Sequence, residues 1–190
     1  RKGVPMSLEN LKSEIPGFAK DIKLNISSLL NEDLLNDQQL YGCFLATALA
    51  SGNARVIRAA EADAKDKLSP EAVEASKGAH AIMAMNNVYY KFVGFLEGKE
   101  YQTMPPKLRM NIIGNPGVEK SDFELWSLAV SAINGCKFCV NSHEELLVKE
   151  GLSRDQIQAA IRVASVVHAA ACVFGGEDAV SGAQDQRQAA

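Results

Sequence analysis

Cys136, Cys139 and His143 stand close together in the second half of the chain. A cysteine reacts as its thiolate, and two cysteines three residues apart at a helix start can close a disulfide. A histidine four residues beyond the second cysteine shares its helix face. An imidazole that titrates near neutral pH can take the thiol proton and later return it. Residue types and spacing therefore point to thiol redox chemistry. Gly135 is expected to end one helix and Cys136 to begin the next, where unpaired N–H groups and the helix dipole favour a thiolate. That electrostatic argument taken alone leans toward Cys136, but residue types and spacing together do not rank the two thiols.

A carboxylate on the far ring nitrogen would fix the tautomer of His143 and raise its basicity. Glu124 is the candidate. It lies about 18 Å back along the preceding helix, and an antiparallel second helix would return His143 about 10 Å toward it. The two would then meet directly or through a water. Glu124 also occupies the fourth position of Ser121-Asp122-Phe123-Glu124, which reads as a capping box, so it has a purely structural role open to it.

Other chemistries use similar residues. A structural zinc site needs four ligands; Cys136, Cys139 and His143 supply three, and Glu124, His80 or His168 would have to complete it. Covalent haem attachment needs a histidine directly after the second cysteine, where Val140 stands. Iron–sulfur ligation ordinarily needs more cysteines nearby. Cys43 and Cys172 sit in apolar or alanine-rich surroundings and are expected to be small core hydrophobes. His80 and His168 are expected to be interior histidines of apolar helices. Met83 and Met85, beside Asn86 and Asn87, are expected to fill the core.

The elements that must carry these residues are helices. Alanine and leucine dominate long stretches, and prolines are few. Helix starts are predicted at Asn36 with Gln39, at Ser69-Pro70, at Ser121 with Glu124, and at Ser153 with Gln156. Stops are predicted at Gly52, Gly98, Gly135 and Gly151, and a turn at Gly114-Asn115-Pro116-Gly117. Asn36-Asp37-Gln38-Gln39-Leu40-Tyr41 and Ser121-Asp122-Phe123-Glu124-Leu125-Trp126 match in order, 85 positions apart. An internal duplication of a helical hairpin is expected from this, with halves at about 30–100 and 115–174. The same shift from Cys136, Cys139 and His143 lands on Ser51, Ala54 and Arg58, so only one half carries the thiol chemistry.

Of the 190 residues, 47% are apolar and 23% charged, with a formal net charge of -3. This fits a single all-α catalytic domain over 6–174 and disfavours nucleic acid as a partner, since phosphate binding needs a concentrated basic surface. No segment reaches about 18 uninterrupted apolar residues, so no membrane partner is expected. The first thirty residues lack the pattern of a secretory signal, and a cytoplasmic location is expected. Residues 1–5 read as a remnant of an expression vector, with Met6 the native start. Residues 175–190 read as a flexible tail.

The stretch Phe123–Glu144, FELWSLAVSAINGCKFCVNSHE, closely resembles the alkyl hydroperoxidase D family, within the carboxymuconolactone decarboxylase-like group. IPGFAKDIKLNISS within Leu11–Ser28, AIMAMNNVYYKFVGFLEG over Ala81–Gly98 and LRMNIIGNPG over Leu108–Gly117 resemble it too. The resemblance implies an all-helical, internally duplicated fold assembled as a homotrimer, and antioxidant peroxidase activity against alkyl hydroperoxides. It implies that Cys139 is the peroxidatic cysteine, Cys136 the resolving one, and His143 and Glu124 a proton relay. No bound cofactor or metal is implied. An external dithiol, dihydrolipoamide on a lipoylated 2-oxoacid dehydrogenase component, would be the reductant, with a partner peroxiredoxin sharing the electrons. A general dithiol–disulfide oxidoreductase is the alternative enzyme, and a zinc-stabilised interaction module the alternative without catalysis. One position departs from the family pattern: well-studied members carry a histidine directly before the second cysteine, and Phe138 stands there instead. Phenylalanine exchanges no protons.

Overall fold

The computed structural model describes residues 6–188. It contains ten α-helices and, among the described residues, no strand. They are α1 (Leu8–Leu11), α2 (Lys20–Leu30), α3 (Asp37–Ser51), α4 (Ala54–Lys67), α5 (Pro70–Phe95), α6 (Glu100–Thr103), α7 (Asn111–Gly114), α8 (Lys120–Ile133), α9 (Lys137–Lys149) and α10 (Arg154–Gln188). The expected all-α class is what the chain adopts. The expected vector remnant, residues 1–5, lies outside the described residues.

Three of the four predicted helix starts form as read. Asn36 and Gln39 exchange side-chain and backbone hydrogen bonds in a capping box ahead of α3. Ser69 accepts from the Ala72 N–H, with Pro70 in the first turn of α5, where a missing N–H costs nothing. Ser153 and Gln156 form the second box, ahead of α10. The fourth start is corrected. α8 begins at Lys120, after Glu119, so Ser121 lies inside the helix and caps nothing. Asp122 explains the earlier start. Its buried carboxylate accepts from Gln38 Nε2 at 2.7 Å and Gln39 Nε2 at 3.0 Å, tying the first turn of α8 to the first turn of α3.

Helices α3 and α8 form the centre, packed on each other and both covered by α5 and α10. The approach is close because Gly42 has no side chain: a Cβ there would lie 2.2 Å from the Trp126 ring. Trp126 is fully buried and donates its indole N–H to the Gln39 carbonyl at 3.1 Å. Ser76 of α5 donates to the Gly42 carbonyl from the other side. Three consecutive helices recur in the same order. Asp37 against Lys120, Ala54 against Lys137 and Pro70 against Arg154 place the starts of α3–α5 and α8–α10 at offsets of 83, 83 and 84 residues.

The last helix bears on two expectations. A flexible tail was expected from Gly175; over that stretch α10 continues as helix through Gln188. The segment contains no proline, and Asp178 is held by Arg55, whose guanidinium also lies over the Phe174 ring. By length and composition Arg154–Gly182 would suffice to cross a membrane, yet 56% of its most apolar window is buried. It packs there against α2, α3 and α8 as a core helix.

Candidate active site

The site is built on the hairpin of α8 and α9. Gly135 has φ 68°, a left-handed conformation that costs glycine little. Its N–H bonds to Ala132 O and the next N–H, of Cys136, to Ser131 O, the paired bonds of a Schellman ending. Cys136 thus closes α8 and caps α9 at once, its Sγ accepting from the Cys139 N–H at 3.3 Å. The turn is pinned from α5. Asn87 donates to Ser131 Oγ at 2.8 Å and accepts from Asn134 Nδ2 at 2.9 Å, and Lys91 Nζ donates to Asn134 O.

Cys136 and Cys139 are joined as a disulfide, with Cα atoms 5.3 Å apart. Both are buried, but they differ in what they face. Cys139 lines a pocket of about 260 Å³ together with Met83, Asn86, Tyr90, Phe138 and His143, whereas Cys136 does not border it. The geometry therefore separates two thiols that spacing left unranked.

Glu124 does reach His143, and directly. Its Oε2 lies 2.5 Å from His143 Nδ1, and the residue is 3% exposed. Because α8 starts before Ser121, Glu124 is free of capping. Beside a carboxylate in its ionised form, which only accepts hydrogen bonds, Nδ1 would be the donor and Nε2 the nitrogen left for proton exchange. Nε2 sits 3.3 Å from the Met83 thioether. Met83 is indeed buried in the core as expected, but it also forms the wall against which the imidazole rests.

Phe138 is 49% exposed and lies flat on Tyr90, with centroids 5.1 Å apart and planes 9° from parallel. The pair forms the rim of the pocket. Tyr90 and Asn86 were not singled out as site residues by sequence reasoning. Met83, Asn86 and Tyr90 at i, i+3 and i+7 form one stripe of α5, a pattern indistinguishable in sequence from core packing.

The remaining candidates fall outside the site. Cys43 is fully buried, and burial, with the Asp122 carboxylate nearby, pushes its thiol far above the ordinary range, which suits a core residue. Cys172 and His168 are corrected: both are exposed on the outer face of α10, their side chains 3.6 Å apart. Alanine lines both faces of that helix, so alanine-rich surroundings did not distinguish inside from outside. His80 is half-buried on α5, with Nδ1 unpartnered, and burial lowers its pKa. Among the described residues no three His, Cys, Asp or Glu side chains are grouped so as to hold a metal ion.

Residues 99–174 match the carboxymuconolactone decarboxylase family. Over almost its whole length the chain is similar to proteins named alkyl hydroperoxide reductase AhpD. It is 60% identical to that of Hyphomonas neptunium, over 93% of this chain and 98% of the relative. Identity to the Gluconacetobacter diazotrophicus protein is 57%, over 92% of this chain and 96% of the relative. The Maricaulis maris protein is 56% identical, over 90% and 99% respectively. Identity of that order across both lengths, together with the all-helical fold, places the chain in the AhpD family.

Proposed function

We propose that this protein reduces alkyl hydroperoxides through a disulfide cycle of Cys139 and Cys136. The observation that carries the reading is the Cys136–Cys139 disulfide at the head of α9, with Cys139 bordering the pocket that the Glu124–His143 pair also borders. The relatives' name, alkyl hydroperoxide reductase, supports the substrate class.

In the reduced protein His143, oriented by Glu124, draws the proton from Cys139. The thiolate attacks the terminal oxygen of R–O–O–H, the O–O bond breaks, and Cys139 becomes a sulfenic acid. The leaving alkoxide takes the proton held by His143 and departs as the alcohol. The Cys136 thiol then attacks the sulfenic sulfur, releasing water and closing the disulfide. An external dithiol reopens it by exchange and is itself oxidised to a disulfide. The family likeness points to dihydrolipoamide, carried on a lipoylated 2-oxoacid dehydrogenase component, as that dithiol, and to a peroxiredoxin as a partner. No resident metal or cofactor enters the cycle.

Exposed Val88, Phe92, Phe95, Tyr101 and Met104 cluster on the C-terminal half of α5 and on the segment after it. Large apolar patches mark association surfaces, and this one supports assembly with further copies of the chain; the number three comes from the family resemblance. Light scattering should give three times the chain mass; a monomer would contradict it.

Turnover of cumene hydroperoxide with dihydrolipoamide tests class, substrate and electron source together. Cys139→Ser should abolish peroxide consumption, and Cys136→Ser should trap a sulfenic acid on Cys139. A stable sulfenic acid on Cys136 would reverse the two roles. Fast reduction of protein disulfides with peroxide untouched would favour the general oxidoreductase. Stoichiometric zinc whose chelation unfolds the protein would favour the interaction module.

A further inference from the structure

Asn86 and Asn87 are neighbours on α5, both buried, and their amides are treated differently. Asn87 has each amide end matched, to Ser131 and to Asn134. Asn86 borders the pocket that holds Cys139 and His143, and it is 4% exposed. Its Nδ2 meets only the Met110 thioether, at 3.5 Å, and its Oδ1 has no hydrogen-bond partner in the chain. A buried carbonyl oxygen without a partner costs stability, and an apolar residue of similar size would avoid that cost. Met83, one turn earlier on the same stripe, touches the histidine, and Tyr90, one turn later, stacks on Phe138. Asn86 is therefore the polar member of the α5 face that closes the pocket.

We propose that Asn86 binds the substrate: its Oδ1 accepts a hydrogen bond from the O–H of the hydroperoxide and holds the terminal oxygen for attack by Cys139. This rests on the peroxidase reading above and adds a residue to it. The terminal oxygen is the one transferred to sulfur, and it keeps its hydrogen as R–O–O–H becomes Cys139–S–O–H and R–O⁻. The same acceptor can therefore hold that O–H before and after the O–O bond breaks, while the proton on His143 goes to the leaving alkoxide. Two ends of the peroxide are thus handled by two different groups, the terminal O–H by Asn86 and the departing oxygen by His143. Asn87, with both its ends occupied in pinning the α8–α9 turn, cannot do the same.

The test uses pre-reduced full-length protein and measures three rates: oxidation by cumene hydroperoxide, alkylation of Cys139 by iodoacetamide across pH, and reduction of the disulfide by dithiothreitol. Asn86→Leu keeps the volume and removes the acceptor. It should slow oxidation ~10- to 100-fold, the size expected for one buried hydrogen bond to a reacting group. The alkylation profile and the dithiothreitol rate should stay within about twofold of the wild type, because neither involves a hydroperoxide. Asn86→Ala carries the same expectation and keeps the test standing if Asn86→Leu does not fold. Oxidation at the wild-type rate in the folded variant would overturn the proposal. So would a parallel fall in all three rates, which would mark Asn86 as structural. Wild-type protein that leaves peroxide unconsumed would overturn both this proposal and the peroxidase reading, whereas an active wild type with an equally active variant overturns this proposal alone.

Discussion

Glu124 is a nearly buried acid with one strong partner, His143 Nδ1 at 2.5 Å. A glutamine there can still meet the ring but no longer fixes which nitrogen carries the proton, because an amide both donates and accepts. Glu124→Gln should therefore slow oxidation of Cys139 by roughly 10- to 100-fold, the usual cost of losing an orienting carboxylate behind a histidine. Stopped-flow oxidation of the reduced variant checks this; an unchanged rate would assign Glu124 to packing. Phe138 is the opposite case, a residue with nothing to exchange. Phe138→His restores the histidine of well-studied relatives at the half-exposed pocket rim. Its pH–rate profile should gain one further ionisation, near pH ~6.5, beyond those of the wild type. The lost stacking on Tyr90 should cost about 1 kcal/mol. At this scale the grouping of the cysteine pair with His143 was legible from residue type and spacing, whereas Glu124 was a candidate whose reach spacing left open and the family resemblance favoured. Asn86 was not, since whether a buried amide has a partner depends on side chains from other helices.

The helices that present these residues are held by a small number of specific contacts. Gly42 lets α3 and α8 approach until the Trp126 ring occupies the place of a side chain. Gly42→Ala should force that ring or the helices apart and cost about 3 kcal/mol, at the upper end of overpacking effects. A melting temperature lower by roughly 6–12 °C would express this in a chain of this size. An unchanged melting temperature would mean that the α3–α8 contact is looser than described. Helix boundaries with local chemistry were readable, as at Asn36, Ser69, Ser153 and Gly135. The start of α8 was misread because it is decided by distant residues: Asp122 answers to Gln38 and Gln39 across the core. That misreading had a consequence, since it left Glu124 a capping duty it does not have. The faces of α10 were misread for a different reason. Alanine is accepted both inside and outside, so it concealed the exposure of His168 and Cys172.

For the molecule as a whole, falling pH should loosen two surface ties between elements. The Leu34 N–H and the Arg162 guanidinium hold the Glu32 carboxyl below its ordinary value. The Lys77 and then the Lys65 ammonium do the same for Glu61. A carboxyl with a folded pKa below its unfolded one stabilises the fold above the unfolded value. That contribution is lost as pH falls through the folded value. The melting temperature should therefore hold from pH 7 to about 5 and fall below the ordinary carboxyl value of 4.5. Arg162→Ala should flatten part of that fall; a melting temperature constant to pH 3 would contradict the assignment. The all-helical class was visible in composition and in the helix starts. The pocket was not, because it is formed by α5 crossing α8 and α9 and has no local signature.

The central claim is that Cys139 and Cys136 reduce a hydroperoxide by becoming a disulfide. Mass spectrometry of the reduced protein before and after one equivalent of cumene hydroperoxide tests it most directly. The peptide containing Cys136 and Cys139 should lose about two mass units, the two thiol hydrogens, as one equivalent of alcohol forms. An unchanged peptide with the peroxide intact would contradict the account.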